Sequence, residues 1–130
     1  MSNLVSTSRS DFMYFEKCVR KWVRKLGLTA WDVTVCLGDT DADSMAECLC
    51  HLQQNSATIS LSSVARRNYE FQTKHKWTKR EIEATALHEV LEMKYSRIRS
   101  FASQGISETL VDEEIHRLIQ LDINHLLPLK

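Results

Sequence analysis

His88, Glu89 and Glu92 stand together in the stretch Ala84-Thr85-Ala86-Leu87-His88-Glu89-Val90-Leu91-Glu92-Met93. Residues four apart on a helix point the same way, with side chains about 6 Å apart, so His88 and Glu92 project from one face. An imidazole and a carboxylate placed like this can hold a divalent metal ion, as the two histidines of a His-Glu-x-x-His site do. Glu89 lies about 100° further round the helix, where the general base of such sites sits. A third ligand has to come from elsewhere in the chain. Glu113 and His116, spaced i, i+3, can both face one point. With His116 the set is two His and one carboxylate, a composition found at catalytic zinc. With Glu113 it is one His and two carboxylates, a harder set that suits zinc less well. His116 is the preferred third ligand and Glu113 the alternative.

The helix that must present this group has the clearest start in the chain. Thr78-Lys79-Arg80-Glu81 has capping-box spacing. Ile82, Ala84, Ala86, Leu87, Val90, Leu91 and Met93 then cover most of the circumference, which marks a buried helix. Ionised groups on such a helix are costly unless paired or bound to metal. The competing reading pairs Glu89 and Glu92 with Lys94, Arg97 or Arg99 and leaves His88 hydrogen-bonded in the core.

Around this helix the remaining elements follow from periodicity. Residues 11 to 26 form an amphipathic helix capped by Ser10 or Asp11, with Phe12, Phe15, Val19, Trp22 and Leu26 inward and Gly27 at its end. Its Lys17, Lys21, Arg24 and Lys25 stripe reads as the wet side. Residues 31 to 37 alternate as a strand that buries Trp31, Val33, Val35 and Leu37. Residues 45 to 53 form a second strand with Ala46, Cys48, Cys50 and Leu52 on one side, and residues 57 to 61 form a third after a turn at Asn55-Ser56. Residues 97 to 106 read as a connection, and a last helix runs from about Ser107 to Leu126, stopped by Pro128. The expected fold is a single α+β domain over residues 1–130: N-terminal helix, three-stranded antiparallel or mixed sheet, buried helix, C-terminal helix.

The Leu26-Gly27-Leu28 and Trp31-Asp32-Val33 segments, the Ala57-Thr58-Ile59-Ser60-Leu61 strand, the Ala84-Thr85-Ala86-Leu87-His88-Glu89 run and the order of elements resemble the minimal zincins. These include the SprT-like family and small phage-encoded proteins predicted to be metallopeptidases. The similarity spans roughly residues 11 to 120 and implies a zincin-like fold, a zinc ligand at His88 and a general base at Glu89. The family pattern is His-Glu-x-x-His, and this chain has Glu at 92. The ligand role of Glu92 is therefore a geometric expectation. The resemblance leads to a zinc-dependent metallohydrolase acting on a peptide or protein, or else to a catalytically degenerate zincin-fold binding or regulatory protein, for which a phage source is one of the options.

Composition narrows the alternatives. Seventeen basic and seventeen acidic residues balance, so no global field points to nucleic acid. Arg66, Arg67, Lys74 and Lys76, interleaved with Tyr69, Phe71 and Trp77, form a local patch that could bind it, and a solvated loop explains them better. The Lys17, Lys21, Arg24 and Lys25 stripe could touch phosphates, and the wet side of a helix explains it better. No run of about 20 apolar residues suits a bilayer. The first residues lack signal-peptide character, which leads to a cytoplasmic expectation with Cys18, Cys36, Cys48 and Cys50 reduced. Cys48 and Cys50 read as small buried hydrophobes on one strand face, and a zinc site built on them with Cys36 would lack a fourth ligand.

Overall fold

Helix α1 (Arg9–Lys25) starts where the Ser8 side chain accepts a hydrogen bond from the Asp11 backbone N–H at 3.0 Å, two residues ahead of the expected start. It stops at Gly27, whose φ of +71° suits a residue without Cβ, while the Leu28 N–H returns to the Val23 carbonyl at 2.9 Å. Phe15, Cys18, Val19, Trp22 and Val23 form its buried face. Lys21, on the basic side, forms an ion pair with Glu83, which also accepts a hydrogen bond from the Trp22 indole at 3.2 Å. These are features of a computed structural model that describes residues 5–38, 40, 44–65, 77–102, 104–105 and 107–128. Arg66, Arg67, Lys74, Lys76, Tyr69 and Phe71 lie outside the described residues.

The chain continues into β2 (Asp32–Gly38), β3 (Ala46–His51), a single 3-10 turn (Leu52–Gln54) and β4 (Ser56–Ser62). The sheet is mixed, in the order β2-β4-β3. β4 runs parallel to β2, with Val35 opposite Ile59, and antiparallel to β3, with Cys48 opposite Ile59. Central position explains why β4 alone buries its whole inner row, Ala57, Ile59 and Leu61. Asn55 makes the β3–β4 reversal in the left-handed region at φ +54°, its amide donating to the Ala30 carbonyl at 2.7 Å. Of the row expected to be buried on β2, only Val33 is fully so. Trp31 precedes the strand and is half-buried, and Leu37 is 40% exposed at the sheet's end.

Two short strands not foreseen, β1 (Val5–Ser6) and β5 (Val64–Ala65), pair antiparallel. Beside them the buried Trp77 indole donates to the Thr7 hydroxyl at 2.8 Å, and Thr7 donates to the Ser62 carbonyl at 2.8 Å. Trp77 thereby anchors the segment that leads into α2 (Lys79–Ala102). The capping box is reciprocated: Glu81 N–H donates to Thr78 Oγ1 at 3.2 Å, and Thr78 N–H to Glu81 Oε1 at 3.1 Å.

α2 packs against α1, β3, β4 and the last helix, α3 (Glu108–Leu126). It runs through residues 97 to 102, where a connection was expected. The apolar stripe ends before those turns. They are held instead by side chains: Arg97 donates to Asn55 Oδ1 at 2.8 Å and to the Leu52 carbonyl at 3.1 Å, and Arg99 bridges to α3. α3 docks through Val111, Ile115 and Ile119. The architecture is α+β, and no described helix is long and apolar enough to cross a membrane.

Candidate metal centre

Periodicity puts His88 and Glu92 on one side of α2, and the docking of α3 brings His116 to them. Glu92 Oε1 lies 3.6 Å from His88 Nε2 and 3.0 Å from His116 Nε2. Four-coordinate zinc with bonds of about 2.0–2.1 Å separates its ligand atoms by about 3.3 Å, so both distances need only a few tenths of an ångström of adjustment. One donor atom from each residue lies within 4.8 Å of the others, the only set of three such donors among the described residues. The two rings stand 5.8 Å apart. Glu113 is exposed on α3 and outside this group. The donor set, two imidazole nitrogens and one carboxylate oxygen, fits a divalent metal ion.

Neighbouring groups orient the donors. Arg99 takes the second oxygen of Glu92, Nη2 to Oε2 at 3.1 Å, and pairs with Asp112 at 2.5 Å. That leaves Oε1 to the imidazoles. His116 Nδ1 sits 2.9 Å from the Asp112 carbonyl and 3.3 Å from its carboxylate, which turns Nε2 toward the cluster. Carbonyl or carboxylate partners on the far ring nitrogen are usual for metal-binding histidines. Sequence reasoning missed Asp112, although its i, i+4 spacing from His116 was a usable signal.

Electrostatics differ across the site. Burial opposes ionisation of Glu92, but the His88 imidazole 3.6 Å away, with Arg99 and His116 close by, outweighs it and holds the carboxyl below its ordinary range. The Glu92 carboxylate in turn raises His88 above an ordinary histidine despite its burial. Glu89 is 8% exposed, the one buried acid among the described residues. Desolvation pushes its carboxyl up to about 7, against the pull of His88. A carboxyl titrating near neutrality can both take and return a proton.

A cleft of about 410 Å³ opens over the group, lined by His88, Glu89, Glu92, His116, Ser44 and the Ala46, Glu47, Cys48 and Leu49 stretch of β3. Tyr95 does not serve it. Its hydroxyl donates to Asp122 Oδ2 at 2.5 Å, and burial first, then this bond, push the phenol up to about 12.

Comparison with protein-family models, with curated proteins and with solved structures returned no significant match.

Proposed function

We propose that this chain is a zinc-dependent metallohydrolase, a peptidase of minimal zincin type with the variant motif His88-Glu89-x-x-Glu92. His88, Glu92 and His116 would hold the ion, and Glu89 is the general base. The observation that carries this reading is the convergence of three donor atoms from two helices beside a buried acid.

A bound zinc ion supplies Lewis acidity, which polarises a carbonyl and acidifies water. The chain supplies the rest. Glu89 takes a proton at its carboxylate and returns it to the leaving amine. Arg99 and Asp112 keep Glu92 and His116 turned inward, so the donors pay little reorganisation on binding. β3 borders the cleft and pairs only with β4 among the described residues, so its outer edge can take an extended peptide by strand addition.

The test begins with metal analysis of protein purified without an affinity tag. Stoichiometric zinc in wild type, lost in His88→Ala and in His116→Ala, supports the site, and cleavage of unfolded protein substrates should vanish in Glu89→Gln. Folded protein that takes up no zinc, nickel or cobalt from solution would refute it.

One observation favours a second reading, a zincin-fold binding or regulatory protein of phage origin that has lost catalysis. Arg99 keeps a permanent positive charge on Glu92 Oε2, a neighbour that competes with a cation. That reading expects zinc uptake without hydrolysis, and biological activity unchanged in Glu89→Gln.

A further inference from the structure

Cys48 and Cys50 flank Leu49 on β3 and project from the strand's inner face, opposite Ile59 and Ala57 of β4. Their Sγ atoms lie 3.6 Å apart, both as free thiols. Cys36 sits in the row of Ser60 and Glu47 on the other face, its Sγ 3.1 Å from Ser60 Oγ, and cannot join them. Among the described residues no third cysteine, histidine or acid completes a set of metal donors around the pair. Two thiols in contact without further donors are equipped for bonding to each other rather than for closing a metal site. Both are reachable by small molecules. Cys50 lines a cavity of about 610 Å³ together with Ser96 and Arg99, and Cys48 lines the cleft of His88, Glu92 and His116.

We propose that Cys48 and Cys50 form a reversible dithiol–disulfide couple whose oxidant is a hydroperoxide. In the first step the Cys50 thiolate attacks the peroxide O–O bond, forming an S–O bond and expelling hydroxide or alkoxide, which takes up a proton. In the second, Cys48 sulfur displaces the oxygen of the Cys50 sulfenic acid. The S–S bond forms, the Cys48 proton leaves with that oxygen as water, and the two electrons lost by the sulfurs reside in the reduced peroxide. The roles follow the surroundings. The hydrogen bond with Cys48, helped by Ser96, holds Cys50 below an ordinary thiol against burial and the nearby Glu92 charge, and the same bond and burial push Cys48 up. Strand rise puts alternate Cα atoms about 6.6 Å apart, near the upper limit a disulfide tolerates. The bond is therefore strained and readily reduced by a dithiol, the behaviour of a switch rather than a staple.

The experiment uses the full chain, reduced, stripped of metal with a chelator and exposed to equimolar hydrogen peroxide. It is then unfolded in excess maleimide and weighed intact. Reduced protein takes four adducts, one per cysteine. The expected result is loss of two adducts, restored by dithiothreitol, with no covalent dimer. Cys48→Ser and Cys50→Ser should each abolish this paired loss, and Cys18→Ser and Cys36→Ser should retain it. His88→Ala should retain it as well, which keeps the outcome separate from the metal reading. Four adducts after peroxide, a paired loss surviving in Cys48→Ser, or oxygen gained without a disulfide would each overturn the proposal.

Discussion

Glu89 combines a buried position with an ionisable group, and the combination has a sign that can be worked out. Its folded carboxyl titrates at about 7, above the ordinary 4.5, mainly through desolvation. Below about pH 4.5 it is neutral in folded and unfolded chains alike. As pH rises to 7 the unfolded chain ionises first, so the stability associated with the neutral group is lost across that window. In metal-free protein the loss reaches about 1–3 kcal/mol above pH 7. Glu89→Gln should then be more stable than wild type by about that amount at pH 8, and equal to it near pH 4, as read by urea denaturation in chelator. Equal stability at pH 8 would mean that the carboxylate is better solvated than its burial indicates. His88 runs in a related direction. Its raised pKa, due first to Glu92, makes protons compete with metal, so zinc should bind more tightly at pH 8 than at pH 6 by calorimetry.

Between elements, the decisive relation is that of α2 and α3. His88 and Glu92 share one helix and need nothing beyond its pitch, whereas His116 reaches them only while α3 stays docked. Ile115 and Ile119, 2% and 1% exposed, flank His116 and form that contact. Ile119→Ala should cost about 2–4 kcal/mol in denaturant unfolding, from lost burial plus the cavity left behind. It should also weaken zinc binding although every donor is still present. Leu121→Ala, at a position 51% exposed, should change stability by less than about 0.5 kcal/mol and leave binding intact. Equal effects from the two variants would show that α3 docking does not govern the site. The Arg99 bridge from Glu92 to Asp112 ties the same two helices together across the end that extends past the core.

For the molecule as a whole, the proposed metal binding would be linked to folding. The donors come from residues 88, 92 and 116, so the intact set exists only in the folded chain. Ligand bound only to the folded state adds about 2.7 kcal/mol at a free concentration a hundred times Kd. Zinc at that level should raise the melting temperature of wild type by several degrees in a thermal scan, and should leave that of His88→Ala unmoved. A shift of equal size in both proteins would place the bound metal somewhere other than this cluster.

Much of this was readable from neighbours in the chain. The α+β order, the Thr78–Glu81 box, the Gly27 stop, the Asn55 turn and the shared face of His88 and Glu92 each depend on spacings of five residues or fewer. Backbone geometry converts such spacings directly into direction. The parallel pairing of β2 with β4, the β1–β5 ribbon, the last turns of α2, the approach of His116 rather than Glu113 to His88 and Glu92, the burial of Glu89 and the Arg99–Asp112 support were decided by tertiary structure. Periodicity says which side chains share a face but not which distant face that one will meet. That is settled only when segments tens of residues apart compete to bury the same apolar surface.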